Sequence, residues 1–289
     1  MSLSIFTSAS SMSSTNAMNK ANNLLSTAME RLGTGKRINS AADDAAGLQI
    51  ATRLQGQTNG MTVAQRNISD ATALLQTAEG AFDEVSNIMY RMKDLATQAA
   101  NDTNGTQDRD AISAEMTELN KELSNIMGNT KYAGENLFQD TKDASGNVTA
   151  SAKFTSGMNF QIGSSTGEKL NVDVSAQLSA ITSTLSDLES GTVDSFDNAQ
   201  DMISKLDGAI GEVGTMRSSL GANINRLGHT AANLANMKDN TDLALSNIQD
   251  ADYATEASTM TRNQLLAQTS MSMLKTSNSM SSMVMNLLG

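Results

Sequence analysis

The chain has 289 residues, of which 39% are hydrophobic, 18% charged and 3% aromatic, with a net charge of −11 and no Trp, Pro or Cys. That acidity excludes a nucleic-acid binder, which needs a basic stripe, and the absent thiols exclude disulfides and thiolate chemistry. No apolar run approaches the roughly 20 residues of a membrane span, so neither membrane insertion nor a large aromatic core is expected, whereas thin helical seams need only Leu, Ile, Met and Ala.

No charged side chain precedes Lys20 and none follows Lys275. Residues 1 to about 32 are predicted as a helix with a weak apolar face of Ala17, Ala21, Leu24, Ala28 and Leu32, broken by Gly33 and Gly35. Ser40 with Asp43 three residues on has the form of a capping box with Asp in place of Glu. It predicts a short helix through Asp44, Leu48, Ile50 and Leu54, with Gly56 and Gly60 at the next joint.

The first long helix follows. Met61, Ile68, Leu75, Phe82, Met89 and Ala96 recur every seven residues, accompanied by Ala64, Ala71, Ala78, Val85, Met92 and Ala99. Every position of this double column is apolar, which marks a helical seam. At about 1.5 Å per residue that stretch is roughly 58 Å long, longer than it can bury alone. Asp102 to Gly105 is a turn, and a shorter helix from about Gln107 to Met127 carries Ile112, Met116, Leu119, Leu123 and Ile126 at alternating four and three. Gly128-Asn129 closes it.

From residue 129 to about 195, Gly, Ser, Thr, Asn and Asp become dense. Residues 154–162 and 170–174 are predicted as strands of a β-hairpin, joined by the turn at 164–168. A second long helix is predicted from about Ser195 to Ile248. Its columns are Ile203, Ile210, Arg217, Ile224, Ala231 and Leu206, Val213, Leu220, Leu227, Leu234. Arg217 is the polar intruder; it either fixes register or packs its stem and keeps its head wet. Asp250-Ala251-Asp252 carries turn and cap chemistry, and a last helix sets Leu266, Met273, Met280 and Leu287 at a seven-residue interval.

The expected fold is mainly α: a long antiparallel helical coiled-coil rod with a small β-hairpin region. Distant segments must pair, giving a terminal coiled-helix domain from 1–40 with 250–289, a rod domain from 41–138 with 192–249, and a short variable hairpin region at 139–191. The near-uncharged ends need partners too, most simply other copies of the chain.

Chemistry is sparse. Gly33-Thr34-Gly35-Lys36-Arg37 resembles a phosphate loop, but Glu30 stands where the upstream Gly belongs and Arg37 where the magnesium-binding hydroxyl belongs. His229 is the one His, so a His-rich zinc site or a His-Glu-x-x-His protease motif is absent, and no nucleophile elbow accompanies it. Asp43-Asp44 and Asp250/Asp252 sit near helix starts, where carboxylates cap; no spaced calcium loop surrounds them. No metal, cofactor or catalytic residue is expected, and the chain is not expected to be an enzyme.

The run STAMERLGTGKRINSAADDAAGLQIATRL, then AQRNISDATALLQTAEGAFDEV and YRMKDLATQAAN, resembles bacterial flagellin, and so do MRSSLGANINRLGHTAANL and IQDADYATEASTMTRNQLLAQTSMSML in the other half. The resemblance covers roughly residues 15–138 and 200–289. It implies an extracellular filament subunit for motility, its ends coiled around a central channel and its middle pointing outward. The short middle and many Met residues are similar to lateral flagellins. Where the family often has a Pro near its end, this chain reads TSNSMSSMVMNLLG, so a more continuous last helix is expected. The N-terminus lacks the basic and apolar regions of a secretory signal. The family instead exports unfolded chains through a type III apparatus, with a signal here spanning Met29 to Ala46. The resemblance further implies an export chaperone on the C-terminal helix, about Ala254 to Leu288, and hook-associated and cap proteins as partners. The polymerisation helices would use Leu24, Ala28, Leu32, Leu266, Met273, Met280 and Leu287. A Toll-like receptor 5 patch maps to Arg91, Leu95 and Glu115, although Tyr90, Lys93, Asp94 and Thr97 depart from the family pattern around it. The single His229 excludes the metallopeptidase insertion of some flagellins. The competing readings are a hook–filament junction protein and a secreted coiled-coil effector.

Overall fold

The computed structural model describes residues 9–142 and 148–288. Among them are six α-helices: α1 (Ala9–Thr34), α2 (Ala45–Ala99), α3 (Thr106–Asn129), α4 (Ser175–Glu189), α5 (Phe196–Gln249) and α6 (Tyr253–Leu288). Three two-stranded antiparallel pairs lie between α3 and α4: β1 (Lys131–Tyr132) with β2 (Glu135–Asn136), β3 (Thr141–Lys142) with β4 (Val148–Ala150), and β5 (Met158–Gln161) with β6 (Lys169–Val172). The fold is mainly α with a small β-hairpin region. It divides into two compact units, Met1–Thr58 with Asp239–Gly289, and Asn59–Lys238.

The 59–238 unit holds the main core. All twelve predicted positions of the α2 seam are buried. On α5 the buried residues are Ala199, Met202, Leu206, Ala209, Val213, Met216, Leu220, Leu227 and Leu234. The column of Ile203, Ile210, Ile224 and Ala231 lies on the flank, partly buried. Met202, Ala209 and Met216 take the places that column was expected to fill, so Arg217 interrupts no core layer. Its guanidinium donates Nε–H and Nη2–H to Glu79 (3.2 and 2.8 Å) and lies 2.9 Å from Asp83. Hydrogen bonding to Glu79, with the charge of Asp83, raises its already high pKa. This pair and Lys93–Asp207 set α2 antiparallel to α5. From α3, Ile112, Met116, Leu123 and Met127 complete the seam, with Leu119 and Ile126 half-covered. Phe82 of α2 packs tilted against Phe138, which stacks on Phe154, with ring centroids 4.7 and 5.9 Å apart.

Three local expectations need correction. Gly56 and Gly60 make no joint, because α2 runs unbroken from Ala45. A helical Gly costs up to about 1 kcal/mol, and seam burial on both sides outweighs it; at Gly60 an added Cβ would lie 2.7 Å from Ser164 Cβ. Asp43 does not cap a helix. Its carboxylate accepts the N–H groups of Ser40 (2.8 Å) and Asn39 (3.1 Å) in the preceding turn, and those bonds hold its pKa below the ordinary range. The cap is Asp44, which accepts the Gly47 N–H at 2.8 Å. Phe154 belongs to a short 3-10 turn, Lys153–Thr155, rather than to a strand. Helix α4 was not anticipated, although Leu178, Ile181, Leu185 and Leu188 follow a three-four-three spacing; its many Ser and Thr residues mask that period. In the β1–β2 turn, Ala133 (φ 52°) and Gly134 (φ 86°) form a two-residue left-handed turn.

Candidate assembly surface

The 1–58/239–289 unit is built around α1 and α6. They run antiparallel, tied by Arg31–Glu256 at 2.9 Å and by Ser10 and Ser11 to Ser277, each at 2.9 Å. What they bury between them is small. On α1 the buried residues are Ala21 and Ala28. On α6 they are Asn263 and Ser270, which fall on a four-three spacing through Glu256, Met260, Asn263, Ala267, Ser270, Leu274 and Ser277. Small side chains let two helices approach closely but bury little apolar area.

The large apolar side chains face outward. Leu24 is 45% exposed, Leu266 50%, Met273 60% and Met280 62%. Leu265, Met271 and Met283 are exposed beside them. Of the predicted polymerisation residues, therefore, Ala28 is spent inside the pair and Leu32 is half-buried, while Leu24, Leu266, Met273 and Met280 lie on its outside. The side chain of Leu287 lies outside the described residues, as do residues 1–8 of the predicted first helix. No charge falls on α6 beyond Lys275, and α6 continues unbroken to Leu288. Leu266, Met273 and Met280 recur every seven residues, so these exposed side chains form one stripe along α6.

A backbone clasp fixes the base of the pair. Gly35 leaves α1 in the left-handed region (φ 73°), where an added Cβ would also press on the Tyr253 hydroxyl at 3.1 Å. Its carbonyl accepts the Ala251 N–H (2.9 Å), the Arg37 N–H donates to Gln249 (2.7 Å), and the Arg37 guanidinium donates to the Ile248 carbonyl (2.7 Å). The phosphate-loop lookalike thus keeps the Gly35 and Lys36 N–H groups on Arg31 and Thr34 and gives the Arg37 N–H to the turn between α5 and α6. Asp252 caps α6, accepting the Ala254 N–H (3.0 Å) and the Thr255 hydroxyl (2.7 Å), and these bonds lower its pKa. A carboxylate with a depressed folded pKa stabilises above its unfolded value of about 3.9 and loses that contribution as pH falls through the folded value. Acidification below about pH 4 should therefore fray the start of α6, read as lower amide protection factors at Ala254 and Thr255. Asp252→Ala should show fast exchange there already at neutral pH.

Elsewhere, Arg91 donates Nε–H and Nη2–H to Glu115 (3.0 and 2.7 Å), both side chains about half exposed, while Leu95 is 2% exposed in the core. The structure brings Arg91 and Glu115 together and leaves Leu95 inward. His229 is exposed on α5. Among the described residues no three His, Asp or Glu side chains converge on a metal-sized site.

A family model described as the bacterial flagellin N-terminal helical region matches residues 5–143, and one described as the bacterial flagellin C-terminal helical region matches residues 203–288. The chain belongs to the bacterial flagellin family. It is 38% identical to a flagellin of Halalkalibacterium halodurans over 262 residues, covering 90% of each chain. Flagellin B of Vibrio anguillarum is 31% identical over the whole of both chains, in 379 aligned positions; that relative therefore carries insertions that this 289-residue flagellin lacks. A solved structure of a putative flagellar hook-associated protein from Vibrio parahaemolyticus shares the fold, with a TM-score of 0.55 over 72% of this chain and all of that one, at 18% identity. Fold alone does not separate filament from junction proteins; the paired sequence matches do. This flagellin is a structural subunit of the flagellar filament.

Proposed function

We propose that this flagellin polymerises by burying the outer flank of α1 and α6 between copies, and that it does so extracellularly, without enzymatic activity. The observation that carries the proposal is the inversion of polarity in that helix pair. The side chains fully buried in the pair are Ala21, Ala28, Asn263 and Ser270, with Leu32, Met260 and Leu274 half-buried beside them, while Leu24, Leu266, Met273 and Met280 are exposed. Ordering the ends costs roughly 1–2 kcal/mol of backbone entropy per residue, so burial of the flank at the filament tip is what offsets it. Contacts of this kind are head-to-tail and non-closing, as a filament requires.

Before assembly the same flank needs cover. An export chaperone holding the 254–288 segment by its Met and Leu side chains fits an amphipathic helix in a groove, with the unfolded chain leaving through the type III apparatus. Hook-associated and cap proteins would meet the same surface at the filament's ends. The exposed Arg91–Glu115 pair is the part of the expected Toll-like receptor 5 patch open to a partner. Arg91→Ala should reduce receptor signalling severalfold while leaving assembly intact; unchanged signalling would remove the receptor from the list of partners.

Negative-stain electron microscopy after ammonium sulfate precipitation tests the central claim. Long filaments of uniform width are expected. Chains that stay monomeric even when seeded with filament fragments would favour the junction or effector reading.

A further inference from the structure

With neither Cys nor Trp in the chain, the thioethers of its 19 methionines are its most readily oxidised side chains. They fall into two sets. The buried ones, among them Met89, Met92, Met116, Met127 and Met216, all lie in the core of the 59–238 unit. The exposed ones among the described residues, Met237 apart, lie on α1 and α6. Met12 and Met29 are on the first, and Met271, Met273, Met280 and Met283 on the second, at 51–62% exposure. Of these, Met273 and Met280 continue the seven-residue stripe that Leu266 begins. Two hydroxyls beside that stripe are spent along the helix: Thr276 donates to the Ser272 carbonyl (3.0 Å) and Ser279 to the Thr276 carbonyl (2.9 Å). No charged side chain follows Lys275.

We propose that Met273 and Met280 are S-oxidation sites, and that their conversion to sulfoxides by a peroxide keeps the chain from polymerising until a thiol-dependent reductase removes the oxygen. The inference rests on the filament reading above and adds a chemical control to the flank. A sulfur lone pair attacks one peroxide oxygen, and the S–O bond forms as the O–O bond breaks. The sulfur is oxidised to the sulfoxide, and the departing oxygen takes the proton of the transferred hydroxyl and leaves as water. The reverse step oxidises two thiols to a disulfide and releases the sulfoxide oxygen as water. Susceptibility follows exposure, so the stripe reacts in the free chain while the core sulfurs do not. Oxidation turns a flexible apolar side chain into a polar one with a strong acceptor oxygen. Between copies that oxygen needs a donor, and burying a polar group without one costs free energy. The Thr276 and Ser279 protons are already given to the backbone. In a formed filament the burial that joins the copies also shields both sulfurs, so the control acts on the chain before it docks.

Peptide mass spectrometry and seeded assembly of the full-length chain, before and after mild hydrogen peroxide, test this. One added oxygen is expected at each of Met273 and Met280 and none at Met89, Met92, Met116, Met127 or Met216, with helical circular dichroism unchanged. The critical concentration should rise on the order of a hundredfold, about a decade for each buried sulfoxide. Methionine sulfoxide reductases acting on both epimers, with a dithiol, should restore it. In preformed filaments the two sulfurs should stay unoxidised at the same dose. A chain carrying Met273→Leu with Met280→Leu, compared with itself before and after peroxide, should show no rise, because no sulfur remains in the stripe. Chains shown to carry both sulfoxides that still assemble at the untreated concentration would overturn the inference. So would a rise that the reductases do not reverse, or one that persists in the leucine chain. Untreated chains that fail to polymerise would instead strike the filament reading, and ready oxidation of both sulfurs inside filaments would strike the burial of the flank.

Discussion

Deleting residues from Leu266 onward is expected to abolish polymerisation while leaving the 59–238 unit folded. That unit owns the buried seam of α2, α3 and α5 and draws no core residue from α6. The deletion removes the apolar flank, but it also removes Ala267, Ser270 and Leu274, which face α1. A sharper variant therefore keeps the seam and changes only the outside: Leu266→Ser with Met273→Ser and Met280→Ser. Even at about 1.5 kcal/mol for each buried side chain, three such residues are together worth about three decades in affinity. The triple variant should stay in the supernatant when seeded, at concentrations where the wild type pellets, with its helical circular dichroism unchanged. Assembly of the triple variant at wild-type concentrations would show that the flank is not buried between copies. Limited proteolysis adds a control, since ends that nothing ties down are trimmed: assembled chains should resist cleavage within α1 and α6, and the triple variant should not.

Where the sequence was clear, it was clear because burial and periodicity coincide. The α2 columns from Met61 to Ala99 are apolar at every step, and each side chain is buried. Helix α5 was legible in extent and in its column Leu206, Val213, Leu220, Leu227 and Leu234, all buried, while the companion column is displaced by one residue. Ile203, Ile210 and Ile224 are larger than Ala199 and Ala209, yet the small residues hold the inner positions, because close packing is decided by fit rather than by hydrophobicity. The same rule hid the α1/α6 seam. Asn263 and Ser270 are buried where a hydrophobic count looks for Leu, and the residues that stand out, Leu266, Met273 and Met280, face away from α1. Hydrophobic spacing thus picked out the outer surface of α6 rather than its intramolecular face. The turn chemistry was legible only to within a residue or two: capping moved from Ser40/Asp43 to Asp44, and nothing in Lys131–Asn136 marks Ala133 for a positive φ.

Phe82→Ala should have the opposite signature to the flank variant, destabilising the 59–238 unit while sparing the assembly helices. Phe82 is fully buried and packs tilted against Phe138, which stacks in turn on Phe154. The row joins α2 to the segment after β2 and to the 3-10 turn, three stretches that no other aromatic contact links among the described residues. Truncating a buried Phe to Ala costs about 3–5 kcal/mol through lost transfer energy and the cavity left behind, a large part of the 5–15 kcal/mol typical of a whole domain. Two compact units need not melt together, so calorimetry is the measurement to make: the transition of the 59–238 unit should fall by roughly 10 °C or more, at a few degrees per kcal/mol. Tyr90→Ala, on the exposed side of the same helix, should stay within about 0.5 kcal/mol of wild type. At a temperature where the Phe82→Ala chain is still folded, seeded assembly should proceed, because Leu24, Leu266, Met273 and Met280 remain in place. Loss of assembly without loss of stability in that variant would mean that the inner core and the outer flank are coupled, and that polymerisation reads the packing of α2 as well as the surface of α6.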